Sequence, residues 1–218
     1  MRCDFFGALL NILCRKDPPE DFSQYESSTD QLRDMICGSL DFLANQYRAL
    51  NFANGLETSA EEIDDFVLTN YPDVQPPWPQ IWVCIRSGLF NLVQTFCQKH
   101  RRETAEFWYY FNLFVLQDNE PTSEIQSNVL INTKPSNEYE AIRTFCYIFV
   151  IGEDLQQPPD TYLKKAEDFI YLLLSPYRYS TSSLNADGGY STLSELQQLI
   201  SFESSKIFKN GNDRFVSS

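Results

Sequence analysis

The stretch from Pro76 to His100 constrains the fold of this chain more than any other. Two short apolar segments meet in it at Gly88. Pro77 and Pro79 can occupy the first turn of a helix, where backbone N–H groups have no helical acceptor to lose. The large apolar residues on both sides of the glycine follow helical spacing: Trp78, Ile81, Trp82, Ile85, Leu89, Leu92, Val93 and Phe96. Two short helices cannot bury these faces alone, so the pair has to pack between further helices, as in a stacked helical array.

The composition is that of a folded chain whose negative charge disfavours binding to polyanions. The 218 residues are 43% hydrophobic and 15% aromatic, which allows one large domain or two small ones with a sizeable core. A net charge of −13 argues against direct binding to nucleic acid or to anionic lipid. The one basic cluster, Lys99 to Arg102, is interpreted as cations that stabilise a helix C-terminus, in preference to a targeting or phosphate-binding role.

The cysteines indicate buried thiols in a reducing compartment. The six cysteines lie far apart, no CxxC pair is present, and His100 is the only histidine, so the sequence gives almost no support for a zinc site. A signal peptide at Phe5–Cys14 is disfavoured because Asp4 interrupts its start and no small-residue cleavage site follows. The apolar run Phe107–Leu116 is far shorter than the roughly 20 residues of a membrane-spanning helix. We therefore expect a soluble, intracellular protein without a transmembrane segment.

Apolar spacing predicts about nine helices and no convincing strand. The clearest stripe runs through a helix that follows a capping box at Ser28 and Gln31, and it comprises Leu32, Ile36, Leu40, Leu43, Tyr47 and Leu50. Further boxes pair Thr58 with Glu61, Ser123 with Gln126, and Thr192 with Glu195. Other helices are predicted at 4–15, around Ile63 to Val67, from Tyr139 to Val150, and from Asp160 to Leu174.

The aromatic run Phe107–Phe111 is apolar on every side, which predicts a helix covered on most sides, with Phe107, Tyr110, Phe111, Phe114 and Val115 towards the core. A β-strand is the local alternative, but it would have no other strand to pair with. The predicted fold class is therefore all-α, an irregular α-solenoid of stacked antiparallel helices, with a compact helical bundle as the alternative. Residues 1–209 are expected to form a single solenoid segment and 210–218 a loose C-terminal tail.

No group of residues in the sequence indicates a reaction centre. Cys97 and His100 lie one helical turn apart, but such pairs arise by chance and no oxyanion donor accompanies this one. Two groups of carboxylates are interpreted as solvent-exposed residues of polar helix faces or loops, in preference to a metal or acid–base site. They are Glu61, Glu62, Asp64 and Asp65 in one group, and Glu153 and Asp154 in the other. We therefore assign no catalytic, cofactor-binding or metal-ligating residue and expect no enzymatic activity and no cofactor.

Three collinear segments resemble one known family. The first segment resembles a Pro-Trp…Tyr-Cys-Leu-Arg-x-Gly segment. It comprises Pro77-Trp78 and Ile81-Trp82-Val83-Cys84-Ile85-Arg86-Ser87-Gly88. The segment from Tyr139 to Gly152 resembles a Pro-Tyr-Lys-Arg-Ala-x-Tyr-x-Ile-Ile-Gly helix, and Lys165 to Leu174 resembles Lys-x-x-Glu-Asp-Tyr-Leu-Trp-x-Lys-Leu, with Thr192 to Gln197 following. Together these segments are similar to the middle solenoid portion of the nucleoporin-interacting component family, the 93/96-kilodalton nucleoporins of the nuclear pore inner ring.

The resemblance implies a non-catalytic scaffold that contacts other nucleoporins and supports transport of protein and RNA through the nuclear pore. It also implies localisation to the nucleus, at the nuclear pore complex of the nuclear envelope. Family members are longer, with an N-terminal coiled-coil region and further solenoid, so we expect a fragment, a truncated paralogue or a mid-solenoid segment. Two alternatives stay open: a soluble helical adaptor that binds a partner helix, and an uncharacterised enzyme that uses Cys97 or an acidic pair.

Overall fold

The computed structural model describes residues 29–122, 124–125, 135–151, 162 and 166–178. The chain divides into two compact units, one formed by residues 1–39 and 180–218 and the other by Leu40–Tyr179. Only residues 29–39 of the first unit are described. The helices expected at 4–15, from Ser123 and from Thr192, the carboxylates Glu153 and Asp154, and the tail 210–218 lie outside the described residues.

The described part of the chain is helical and contains no strand. Its seven α-helices are α1 (Thr29–Asn51), α2 (Ala60–Asn70), α3 (Trp78–Arg86), α4 (Phe90–Lys99), α5 (Arg101–Tyr110), α6 (Glu138–Ile151) and α7 (Ala166–Leu174). Short 3₁₀ helices follow at Gly55–Glu57 and Ser175–Arg178, and α5 continues as a π-helical segment, Phe111–Leu116. The all-α class is therefore confirmed, and the aromatic run at 107–111 is helical, as predicted.

The apolar stripe of α1 ends one turn earlier than its spacing predicts. Leu40, Leu43 and Tyr47 are buried, but Leu50 is 82% exposed, so its assignment to the core face was wrong. The helix ends at Asn51, and Phe52 takes the inward position instead. The Phe52 ring packs against Phe66 of α2 with 5.1 Å between ring centroids. The aromatic residue just beyond the helix thus covers the core where Leu50 does not.

The capping box of α2 lies one residue later than predicted. The Glu62 N–H donates to Ser59 Oγ at 3.3 Å, and the Ser59 N–H donates to Glu62 Oε2 at 2.8 Å. The predicted box at Thr58 and Glu61 was wrong, although both registers satisfy the same sequence pattern. Thr58 cannot cap the helix because its hydroxyl donates to Gly55 O at 2.6 Å and closes the preceding turn.

Helix α3 is buried on all of its sides rather than on one face. All nine of its residues are buried, including Gln80 and Arg86. It packs against α2, α4 and α6, and the side chains of α1 and α7 also reach its C-terminal end. The prediction that this helix is packed between other helices is confirmed, but the prediction of a single apolar face was too narrow.

Gly88 ends α3 in the way the sequence predicts. Its φ is +66°, the left-handed conformation that glycine adopts most readily. The Leu89 N–H donates to Cys84 O at 2.9 Å, and the Gly88 N–H donates to Ile85 O at 3.1 Å. These are the two hydrogen bonds of a Schellman motif, in which a buried apolar residue, here Leu89, follows the glycine.

Replacing Gly88 with valine is expected to destabilise the protein more than the same change at Gly55. Both glycines have positive φ, so the left-handed backbone is expected to lower the free energy of unfolding of both variants by about 1–2 kcal/mol. A Cβ at Gly88 lies 3.5 Å from Ala44 Cβ and 3.7 Å from Arg48 Nη1, whereas a Cβ at Gly55 meets nothing within 4 Å. The two extra valine methyl groups therefore crowd α1 only at Gly88. Urea unfolding measures both; equal losses would contradict the close approach of α1.

The basic cluster Lys99 to Arg102 straddles two helices. Helix α4 ends at Lys99, and α5 begins at Arg101. The interpretation as cations at a helix C-terminus therefore holds for Lys99 only, since Arg101 and Arg102 lie exposed in a first turn, where the dipole does not favour positive charge. The sequence could not locate this boundary because both helices share one polar junction.

The aromatic run at the end of α5 is covered except at one position. Phe107, Phe111 and Phe114 are buried, as expected, and Tyr110 and Val115 are half-buried. Within the run Phe107–Phe111, Tyr109 alone is exposed, at 60%, so the prediction of a helix covered on most sides agrees with the other four residues. A tyrosine can lie at the surface because water hydrates its hydroxyl group. The pattern of hydrophobic residues therefore does not show whether a tyrosine is exposed or buried.

Candidate functional site

A charged pair lies inside the core, at the point where α3 ends. Arg86, the last residue of α3, is 1% exposed, and its Nε donates to Asp168 Oδ1 at 2.7 Å. Asp168 lies in the first turn of α7 and is also buried. Carboxylates are favoured in the first turn of a helix, where unpaired backbone N–H groups carry partial positive charge. The pair therefore joins two helices that are far apart in the sequence.

Two tyrosine rings enclose the guanidinium group of this pair. Its carbon lies 4.3 Å from the ring centroid of Tyr171 on α7 and 4.8 Å from that of Tyr47 on α1. Burial raises the pKa of Tyr47 far above its ordinary value, so its hydroxyl stays neutral. The Tyr171 hydroxyl donates to Ile85 O at 3.1 Å. Each ring therefore adds a cation–π contact to the ion pair.

A second arginine ties α1 to the same place. Arg48 Nη1 donates to the carbonyl oxygen of Ser87, the residue after α3, at 2.9 Å. This bond satisfies a carbonyl at a helix terminus, where no intrahelical donor is available. The end of α3 is thus held by side chains from α1 and α7 at once. We call Tyr47, Arg48, Arg86, Asp168 and Tyr171 the arginine centre.

The arginine centre can position helices, and nothing in its geometry indicates a reaction. The positive charge of Arg86 already has its counter-charge at 2.7 Å, inside a core where removing either partner would leave an isolated charge. Arg86 Nη1 and Ser87 Oγ are buried without a hydrogen-bond partner. Buried ion pairs of this kind add little to the free energy of folding. They disfavour any alternative packing of the helices that would leave one of the two charges buried without the other.

A smaller polar cluster holds the opposite end of α3. The Trp78 Nε1–H donates to Glu103 Oε1 at 2.9 Å, and the Tyr139 hydroxyl donates to the same oxygen. Trp78 begins α3, Glu103 lies in the first turn of α5, and Tyr139 in the first turn of α6. The Arg143 guanidinium lies 5.6 Å from the Trp78 ring centroid. One carboxylate therefore connects three helices, so both ends of α3 are fixed by polar contacts.

The burial of Cys97 disfavours a reactive centre at the candidate pair Cys97 and His100. Burial raises the pKa of the Cys97 thiol to about 12, so the nucleophilic thiolate is scarce at neutral pH. His100 lies at the junction of α4 and α5, where its carbonyl oxygen accepts from the Thr104 hydroxyl at 3.1 Å. Burial likewise raises the pKa values of the Cys84 and Cys146 thiols. The geometry favours the interpretation of these cysteines as packing residues.

Alkylation is expected to distinguish the buried cysteines from Cys37. Cys84, Cys97 and Cys146 are buried, whereas Cys37 is partly exposed. In the native protein at neutral pH, iodoacetamide is expected to modify Cys37 well before these three, because a buried, protonated thiol reacts slowly. In guanidinium chloride all four are expected to react. Peptide mass spectrometry measures each site separately, and rapid native modification of Cys97 would contradict the packing interpretation.

The predicted carboxylate cluster lies on α2. Glu61 and Asp65 are exposed, while Glu62 belongs to the capping box and Asp64 accepts from Gln80 and Lys99. Among the residues that the structure describes, no three metal-ligating side chains group together. Within the same part of the chain, no helix is both long and apolar enough to cross a membrane.

The sequence did not predict the arginine centre, although four of its five residues lie in the stripe of α1 or in the family segments. Arg86 and Asp168 both occur in the segments that resemble the known family, where they were interpreted only as parts of packing motifs. The available signal was a charge inside an otherwise apolar segment, since Arg86 is the only charged residue between Trp78 and Leu89. Such a residue, when buried, needs an opposite charge.

Comparison with known proteins gives one family. The family model described as Nup93/Nic96 matches residues 38–216, a range that contains the arginine centre and helices α2 to α7. No curated protein matches the chain. No solved structure matches it either.

Proposed function

Because the chain belongs to the Nup93/Nic96 family of nuclear pore scaffold nucleoporins, we propose that it is a structural component of the nuclear pore inner ring. In this role it supports pore assembly and the transport of protein and RNA between nucleus and cytoplasm. The family is not one of enzymes, and we assign the chain no catalytic activity and no cofactor. Its place of action is the nuclear pore complex in the nuclear envelope.

The match of the family model over residues 38–216 carries this proposal. The arginine centre agrees with it, because its two charged members fall in two separate segments of the family resemblance. Arg86 lies in the segment that ends at Gly88, and Asp168 lies in the segment from Lys165 to Leu174. A scaffold protein needs helices held in fixed relative positions, and a buried ion pair between distant helices favours one register over others.

The proposed partners are other nucleoporins, bound through surfaces along an α-solenoid of stacked antiparallel helices. Direct contact with nucleic acid is not part of the proposal, since a chain of net charge −13 repels polyanions. Exposed apolar side chains are available for protein contacts; Leu50, Leu56 and Leu68 are each more than two-thirds exposed.

Cross-linking of the tagged chain in its own cells tests this function. Nuclear envelopes are treated with a lysine-reactive reagent, and the cross-linked peptides are identified by mass spectrometry. Reproducible cross-links to inner-ring nucleoporins are the expected result, and the destabilised Asp168→Ala variant, which is expected to give fewer of them, serves as the control. Cross-links only to proteins outside the pore would overturn the proposal and favour the alternative, a helical adaptor that binds a partner helix.

A further inference from the structure

The connection between α1 and α2 contains an asparagine followed by a glycine, Asn54-Gly55. Asn54 is exposed, and Gly55 has a φ of +57°. A Cβ atom at Gly55 would meet nothing within 4 Å, so the space beside this peptide bond is open. Asparagine deamidates most readily before glycine, because no side chain hinders the approach of the glycine nitrogen to the asparagine side chain. The dipeptide is therefore a candidate for a covalent modification that needs no enzyme.

The deamidation of such a pair needs no reagent except water. The backbone nitrogen of Gly55 attacks Cγ of Asn54, and the new N–Cγ bond closes a five-membered succinimide ring. The Cγ–Nδ2 bond breaks, and Nδ2 leaves as ammonia with the proton that the Gly55 nitrogen has lost. Water then adds to one of the two ring carbonyl groups and opens the ring. The product at position 54 is an aspartate or an isoaspartate, each with one new carboxylate.

Two hydrogen bonds hold Asn54 in a conformation that cannot close this ring. Its Nδ2 donates to Glu62 Oε1 at 2.6 Å, and its backbone oxygen accepts from the Glu57 N–H at 3.0 Å. The ψ angle of Asn54 is 0°. This angle turns the Gly55 nitrogen away from Cγ, because a five-membered ring needs that nitrogen nearly eclipsed with Cβ. The reaction therefore requires Asn54 to rotate about ψ and to leave both hydrogen bonds.

We infer that Asn54 is a site of spontaneous deamidation and that the Glu62 carboxylate controls its rate. Glu62 is an ordered acceptor, because its second oxygen, Oε2, accepts from the Ser59 N–H at 2.8 Å in the capping box of α2. An acceptor that is already ordered loses little conformational entropy when Asn54 binds to it. The bond is also charge-assisted, which makes it stronger than a bond between neutral groups. The inference does not depend on the proposed scaffold function, since it follows from the chemistry of this turn.

The product of deamidation disrupts the contact that protects the asparagine. A carboxylate at position 54 cannot donate to Glu62, and it repels that carboxylate instead. The sequence supplies no neighbouring cation, because it contains six carboxylates and no lysine, arginine or histidine between Arg48 and Arg86. An isoaspartate also adds one carbon to the backbone at the start of the 3₁₀ helix Gly55–Glu57. Deamidation is therefore expected to loosen the connection between α1 and α2.

Incubation of the purified full chain at mildly alkaline pH tests the site, and peptide mass spectrometry measures the conversion of each asparagine. Asn210 also precedes a glycine, so it serves as the reference in urea, where both asparagines are expected to convert at similar rates. Without urea, Asn54 is expected to convert about tenfold more slowly than in urea, because the two hydrogen bonds must break first. Equal rates of Asn54 with and without urea would overturn its protection by the fold. Conversion of Asn210 alone in urea would overturn the site.

Two variants separate the role of Glu62 from that of the helix start. Without urea, Glu62→Ala is expected to speed the conversion of Asn54 about fivefold, because it removes the acceptor of Nδ2. The matched control Ser59→Ala removes the hydroxyl that accepts from the Glu62 N–H but leaves the Glu62 carboxylate in place, and it is expected to keep the wild-type rate. Circular dichroism confirms that both variants are folded. Equal acceleration in the two variants, or none in Glu62→Ala, would overturn the control by Glu62.

Discussion

Replacing Asp168 with alanine is expected to lower the free energy of unfolding by about 3–5 kcal/mol. The change leaves Arg86, which is 1% exposed, as an unpaired charge inside the core. Tyr47 beside it cannot replace the lost carboxylate, because burial raises the pKa of its hydroxyl and keeps that group neutral. Urea unfolding followed by circular dichroism measures the loss.

Two comparisons separate the ion pair from a general effect of removing an aspartate. Asp65→Ala, at an exposed position of another helix, is expected to change stability by less than about 0.5 kcal/mol. The double variant Arg86→Met/Asp168→Leu is expected to recover most of the stability, because apolar residues of similar volume can replace a buried pair. A double variant as unstable as Asp168→Ala would contradict this account of the arginine centre.

Replacing Trp78 with alanine is expected to destabilise the protein by about 3–5 kcal/mol. This side chain is fully buried at the start of α3, and its ring lies 5.4 Å from that of Phe107 and 5.8 Å from that of Tyr147. The substitution leaves a cavity between α3, α5 and α6 and also removes the hydrogen bond to Glu103. Thermal unfolding monitored by near-ultraviolet circular dichroism measures it.

Trp108→Ala provides the matched control on α5. Its ring stacks on Phe111 with 6.1 Å between centroids, but the side chain is only half-buried. We expect a loss of about 1 kcal/mol there, since surrounding side chains and water can fill the space. Equal losses at Trp78 and Trp108 would show that α3 does not lie at the centre of the packing.

The sequence predicts the helices well because their apolar residues repeat with the helical period. Gly88 ends α3 as expected, since its position after an apolar segment and before Leu89 is typical of a helix stop. Two details were predicted wrongly because neighbouring residues could fill the same structural role. The Ser59 hydroxyl rather than that of Thr58 caps α2, and the Phe52 side chain rather than that of Leu50 is buried in the core. Periodicity does not distinguish these solutions because they differ by one or two positions.

The arginine centre could not be predicted in the same way, since its partners are distant in the sequence. Arg86 and Asp168 are 82 residues apart, and Tyr47 belongs to a third helix. Helical spacing within each segment says nothing about which side chains meet across helices. Both charged residues nevertheless lie in the segments that resemble the family. Those segments do not indicate that the two side chains are in contact.

Imaging of the fluorescently tagged chain in its own cells, with photobleaching at the nuclear rim, tests the proposed function most directly. An inner-ring scaffold component is expected to give a stable rim signal that recovers slowly, because each molecule is held by several contacts. The destabilised Asp168→Ala variant is expected to lose that signal. A diffuse wild-type signal that recovers quickly would contradict the scaffold function and would favour the helical adaptor.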